Sequence, residues 1–91
     1  MADKIRCAHI LVEKLSVAND VRDKIVKGES FAKMAEAFSL DGTRKRGGDL
    51  GFFGRGEMVK EFEQAAFALQ VGELSPVVRT QFGYHIIKRL A

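Results

Sequence analysis

Residues 5–12 read Ile-Arg-Cys-Ala-His-Ile-Leu-Val. A strand sends successive side chains to opposite faces. Ile5, Cys7, His9 and Leu11 therefore share one face, and Ala8, Ile10 and Val12 share the other. Apolar residues on both faces place such a strand in the middle of a sheet, with cover on each side. The far end of the chain repeats the arrangement: Gln81-Phe82-Gly83-Tyr84-His85-Ile86-Ile87-Lys88 is a second short run with one histidine inside it. The chain holds 2 histidines, and these are both of them. If the terminal strands are neighbours, the two imidazoles meet on one side of the sheet. On these residues alone, a buried and mutually hydrogen-bonded pair that holds the sheet together ranks ahead of a reactive site.

Between the two strands the periodicity becomes helical. Ser16 is placed to cap a helix whose apolar stripe is Val17, Ala18, Val21 and Ile25. Lys24 and Lys27 suit its negative end, and Gly28 is placed to stop it. Ser30 is placed to cap a second helix with Phe31, Met34, Ala35 and Phe38 on one face. Residues 39–47 are polar and basic, and the glycine-rich 48–54 predicts a short strand. A further helix from about Val59 to Leu69 carries Met58, Phe62, Ala65, Ala66 and Leu69 as its stripe. Phe67 lies off that stripe and calls for apolar neighbours on a second side. Ser75-Pro76 turns into a strand over 77–80, and Gln81-Phe82-Gly83 into a final strand over 84–90. This order predicts an α+β domain with a four-stranded sheet.

The chain's 91 residues suffice for one compact domain, 1–91, near the small end of what folds without disulfides or metal. Its 1 cysteine excludes an internal disulfide framework and fits a reducing compartment. The N-terminal stretch from Met1 to Arg6 has no apolar core of a signal peptide, and no stretch reaches membrane-spanning length. A soluble, cytoplasmic monomer is the expectation. A net charge of +3 is too small an excess to name nucleic acid as a ligand. Gly47, Gly48, Gly51, Gly54 and Gly56 resemble a phosphate loop only in number, because the lysine-serine/threonine that such a loop needs is missing. Cys7, His9, Asp41 and His85 are metal-capable types, yet Cys-x-His along a strand is not a usual chelating spacing. No metal or cofactor is therefore predicted. Arg44, Lys45 and Arg46 read first as a solvated loop and second as a weak contact for an anionic surface.

Four blocks in order carry a family resemblance: His9-Ile10-Leu11-Val12, Lys45-Arg46-Gly47-Gly48-Asp49-Leu50-Gly51, Gly56-Glu57-Met58-Val59-Lys60-Glu61-Phe62, and Gln81 through Lys88. Together they resemble the signature blocks of parvulin-type peptidyl-prolyl cis/trans isomerases, over essentially the whole chain. The resemblance implies a parvulin-like (FKBP-like) four-stranded sheet surrounded by helices, with a short helix before the second strand. It also implies that the face bearing His9 and His85 floors a catalytic cleft. By the same resemblance Met58 and Phe62 cup the proline ring, Leu50 lines that pocket, Phe82 stands beside it and Thr80 is a nearby hydrogen-bonding residue. Asp41 falls where some parvulins have cysteine and others aspartate. Without the resemblance, Leu40-Asp41-Gly42 is an ordinary helix-ending turn. Phospho-directed parvulins carry a basic cluster after the first strand. Here only Glu13-Lys14-Leu15 stands before the expected Ser16 cap.

The chemistry this implies is modest. Rotation about the amide C–N bond faces a barrier of about 18–20 kcal/mol, and X-Pro exchange unassisted takes roughly 10–100 s. Reaching an ordinary turnover of about 1–10³ s⁻¹ needs an acceleration of roughly 10²–10⁵, or about 3–7 kcal/mol. Binding a twisted amide better than either planar isomer is sufficient. Proline-containing polypeptides are the implied substrates, and the expected function is phosphate-independent isomerisation in flexible chains. Two alternatives stay open: a holdase that grips such segments without turnover, and a domain held on anionic surfaces by its basic residues.

Overall fold

The computed structural model describes residues 3–91. Met1 and Ala2, read above as part of a stretch without an apolar signal core, lie outside the described residues. In chain order the elements are β1 (Lys4–Val12), α1 (Leu15–Val26), α2 (Phe31–Phe38), a 3-10 turn (Gly42–Arg46), β2 (Asp49–Gly54), α3 (Lys60–Phe67), β3 (Val78–Thr80) and β4 (Gly83–Arg89). The strands form one sheet in the order β2-β1-β4-β3, and every neighbouring pair is antiparallel. β1 and β4 are thus the central strands, as apolar side chains on both faces require. One face buries Ala8, Ile10, Val12 and Ile86 beneath α1 and α2. The other buries Ile5, Cys7 and Ile87 against Phe53 and, from α3, Phe62 and Ala66.

Local chemistry explains where the elements differ from the sequence reading. β1 runs to Val12 and the chain turns within Glu13 and Lys14, so α1 starts at Leu15. Ser16 consequently lies inside the first turn, and the cap position falls to Lys14, which makes no side-chain cap bond. Ser30 does cap α2, its hydroxyl accepting from the Lys33 N–H at 3.3 Å. Phe38, expected on the buried face, is 41% exposed. It is the last residue of α2, where the chain already swings back toward β1, and the Lys24 ammonium sits 5.8 Å from its ring. The basic segment forms the 3-10 turn rather than an α-helix.

α3 is shorter than its apolar stripe. Glu63 accepts from the Gly56 N–H at 2.6 Å and Glu57 from the Gly54 N–H, which ties residues 54–57 into a tight loop. The helix cannot begin before Lys60, so Met58 precedes it, while Leu69 is buried beyond its end. Phe67 finds its second-side neighbours in the Phe53 ring, edge-on at 6.0 Å, and the Arg55 guanidinium 4.3 Å above it.

Two glycines fix close approaches beside the histidines. Gly48 has φ +83°, and a Cβ there would lie 2.2 Å from the His9 carbonyl oxygen. Gly83 has φ +138°, and its Cβ would lie 2.6 Å from the Val12 carbonyl oxygen. Only glycine fits such backbone contacts.

Candidate active site

The pairing of β1 with β4 sets His9 opposite Ile87 and Leu11 opposite His85. Both imidazoles project to the α3 side and stack with ring centroids 5.2 Å apart, and their Nδ1 atoms lie 3.0 Å from each other. The other nitrogen of His85 faces the Thr80 hydroxyl on β3, Nε2 to Oγ1 2.7 Å. The other nitrogen of His9 faces Asp41, with Nε2 3.2 Å from Oδ2. That approach lies off the N–H axis, so it is a charge–dipole contact and leaves Nε2 without a directed hydrogen bond.

The carboxylate sets the polarity of the whole row. It favours a proton on Nε2 of His9, which makes Nδ1 of His9 an acceptor. Nδ1–H of His85 then donates to it, and Nε2 of His85 accepts from the Thr80 hydroxyl. Thr80 Oγ1 also accepts from the Phe82 N–H at 3.2 Å, which leaves its own proton for His85.

Burial pulls the pKa of both rings down. For His9 the charge of Asp41 and its contact with the ring push partly the other way. For His85 burial and the neighbouring His9 lower it to about 4, against a smaller upward push from Asp41. Both imidazoles are therefore neutral at pH 7. Burial pushes the Asp41 carboxyl up, but the Thr43 hydroxyl and N–H, together with His9, outweigh it and hold the group below its ordinary value. Cys7, the one thiol, lies on the same face of β1 as His9, and burial raises it to about 11, partly offset by Arg89. It is a protonated thiol at neutral pH, not a nucleophile.

A pH dependence of stability follows. A histidine whose folded pKa lies below its unfolded value of 6.5 contributes stability that is complete above 6.5 and lost as pH falls toward the folded value, about 4 for His85. Denaturant midpoints should accordingly fall between pH 7 and 4, and the slope should flatten in His85→Gln, which cannot titrate. An equally steep slope in the variant would show that another group carries it.

The pocket wall comes from β2 and the α3 end. Leu50 and Phe53 both pack on the α3 side, although residues three apart in a regular strand point to opposite faces. A β-bulge resolves this. Arg6 pairs with Phe52 and Ala8 with Asp49, so β2 carries one residue more than β1 over that span. Gly51, at φ +73°, takes up the irregular backbone, and the Asp49 carboxylate accepts its N–H at 2.9 Å. From α3, Phe62 stands edge-on to both imidazoles, with centroids 5.5 Å from His9 and 5.3 Å from His85. The result is an open, largely apolar cleft of about 340 Å3 floored by the histidines.

Of the eight residues the sequence pointed to, all but Thr80 line this cleft. Thr80 sits buried behind His85. Phe82 forms an exposed rim. Asp41 does not end α2, which stops at Phe38. It caps the 3-10 turn, accepting from the Thr43 N–H at 2.9 Å and from the Thr43 hydroxyl.

Sequence reasoning missed Leu11, Glu57 and Val59 in the lining, and Ser39 beneath it. The buried Ser39 hydroxyl accepts from the Leu11 N–H at 3.1 Å and the Asp41 N–H at 3.3 Å, tethering Asp41 to β1. The face shared with His9 would have found Leu11, and Asp-Gly-Thr is a recognisable capping sequence. Nothing local signals Glu57. Among the described residues, no three or more His, Cys, Asp or Glu side chains converge to hold a metal ion.

The arrangement defines a prolyl isomerase site on a parvulin-type sheet, and the family comparison agrees. The PPIC-type PPIase (rotamase) domain model matches residues 12–91, and the chain belongs to this parvulin family of peptidyl-prolyl cis/trans isomerases. It is 56% identical over 86 residues to the foldase protein PrsA of Geobacillus kaustophilus, covering 93% of this chain and 31% of that protein. It spans about a third of the length of the curated relatives it matches. The solution structure of the parvulin of Nitrosopumilus maritimus superposes with a TM-score of 0.89 at 51% identity, covering 100% of this chain and 99% of that one. The Pin protein of the archaeon Cenarcheaum symbiosum is 58% identical, with a TM-score of 0.87 and coverage of 100% and 95%.

Proposed function

We propose that the domain isomerises X-Pro bonds in unfolded or flexible polypeptides, without phosphate direction and without a covalent step, and so assists slow folding events. The observation that carries this reading is the neutral His9–His85 pair lying between the Asp41 carboxylate and an apolar pocket. The proline ring packs against Leu50, Met58 and Phe62. The amide, twisted out of conjugation, gains a more basic nitrogen and a carbonyl less like an amide. A cleft with few water partners favours that state over the planar, strongly hydrated ones. The buried N–H on Nε2 of His9, with no directed partner, and the field of Asp41 act on the amide as it turns.

Thr80 and Ser39 are positioning residues, holding His85 and Asp41. The protonated Cys7 supports a noncovalent course, and a lone buried thiol supports a reducing, cytoplasmic setting. Weak anionic contact through the exposed Arg44, Lys45 and Arg46, and a monomeric state, complete the reading.

One experiment tests the main points. Exchange NMR on Ala-Leu-Pro-Phe peptides with chelator present should show accelerated cis/trans exchange. Phosphoserine-Pro peptides should not be turned over more than about tenfold faster, a margin of about 1.4 kcal/mol. The reason is that only Glu13 and Lys14 separate β1 from α1, and no basic side chain lines the cleft. Binding without exchange would favour a holdase. Loss of activity with chelator would revive a metal role.

A further inference from the structure

The catalytic cleft continues into a second apolar depression at the C-terminal end of β1. Its walls are Val12, Val17, Phe38 and Leu40, with Glu13 and Lys14 at the rim, around a volume of about 280 Å3. Leu40 is 64% exposed and Phe38 41%. Neither exposure serves the core, and the two residues stand side by side on one depression. Only a backbone ridge separates it from the cleft. The Leu40 N–H donates to the Leu11 carbonyl at 2.7 Å, while Leu11 and Asp41, the flanking residues, both line the cleft. One side of the ridge belongs to the proline site and the other is apolar and open.

From these positions we infer that the Phe38–Leu40 depression is an extension subsite, taking a bulky aliphatic or aromatic side chain of the polypeptide whose proline occupies the cleft. The inference rests on the proposed isomerase reading and names the substrate class more narrowly. Spacing supports it. Val12 lies three residues beyond His9 along β1, which at about 3.3 Å per residue is roughly 10 Å. An extended substrate crosses that distance in about three residues. A tetrapeptide centred on the proline stops short of the depression, and an octapeptide reaches it. The preferred substrate is thus a stretch of unfolded chain with an apolar residue about three positions from the proline.

The test compares kcat/KM by exchange NMR for Ala-Leu-Pro-Phe and for two octapeptides, one with leucine three residues before the proline and one with leucine three residues after it. Matched octapeptides with serine at those positions are the controls. One leucine peptide should exceed its serine control by about tenfold. Leu40→Ser and Phe38→Ser should each remove most of that gain while leaving tetrapeptide turnover unchanged. Phe38 is three residues from Asp41, so its variant guards against a local effect at Leu40. Absence of tetrapeptide turnover would sink the isomerase reading itself. Normal tetrapeptide turnover with no leucine gain, or a gain that survives both variants, would overturn the subsite alone. Concentration-dependent self-association removed by Leu40→Ser, with an unchanged leucine gain, would instead assign the depression to contact between copies.

Discussion

Phe62→Ala is expected to be the most damaging single substitution in the cleft, costing about 3–5 kcal/mol of stability and nearly all turnover. Phe62 is buried and joins three structures: the Phe53 ring at 6.1 Å and the two imidazoles, which it meets edge-on. Truncation opens a cavity between α3 and the sheet. It also removes the wall that keeps water from the histidines and presses on the proline ring. Small domains have about 5–15 kcal/mol in total, so the alanine variant stands near the limit of folding. Phe62→Leu separates the two roles. It retains most of the buried volume and should fold, yet it lacks the flat ring that faces both imidazoles. Its turnover should fall while its denaturant midpoint stays much closer to wild type. Wild-type turnover in a folded Phe62→Leu domain would remove the ring from the pocket's function.

How far the sequence discloses this site depends on the kind of signal. The placement of His9 and His85 on adjacent central strands was legible, because period-two alternation leaves a both-sided apolar strand few places to go. Their mutual hydrogen bond was legible for the same reason. The position of Leu50 was not readable from alternation, which puts it opposite Phe53. The bulge at Gly51 overrides that pattern, and only the family resemblance pointed to Leu50. Met58 looked like a helical stripe residue and lies ahead of α3, since the Gly54–Glu57 loop is held by side-chain carboxylates that no periodicity registers. Ser16 failed as a cap because the position of the preceding strand, a tertiary fact, decided where α1 begins. Phe38 fitted a helical stripe by spacing, but the helix ended where the stripe would have reached cover. Its exposure came from chain direction, not from local preference.

Asp41 carries the largest electrostatic prediction. Two roles are superposed on its carboxylate: capping the 3-10 turn through Thr43 and placing negative charge 3.2 Å from Nε2 of His9. Asp41→Ala removes both, and loss of a cap alone costs about 1 kcal/mol. Asp41→Asn is the sharper variant. Asparagine is as good a cap and can accept from Thr43 through its amide oxygen, so the turn survives and only the charge goes. Without that charge nothing fixes the proton on Nε2 of His9, and the row through His85 to Thr80 loses its polarity. Single electrostatic contributors in active sites are commonly worth 10²-fold or more. The acceleration needed here is only about 10²–10⁵ in total, so a loss of about tenfold is expected. Asp41→Cys should keep measurable activity, since cysteine occupies this position in other parvulins.

The decisive measurement is cis/trans exchange of Ala-Leu-Pro-Phe catalysed by wild type and Asp41→Asn at pH 7, with peptide affinity followed by NMR titration and folding by denaturant midpoint. Turnover should drop about tenfold while affinity and midpoint stay near wild type. Undiminished turnover in Asp41→Asn would contradict a mechanism that runs through the carboxylate and would leave Asp41 as the cap of a turn.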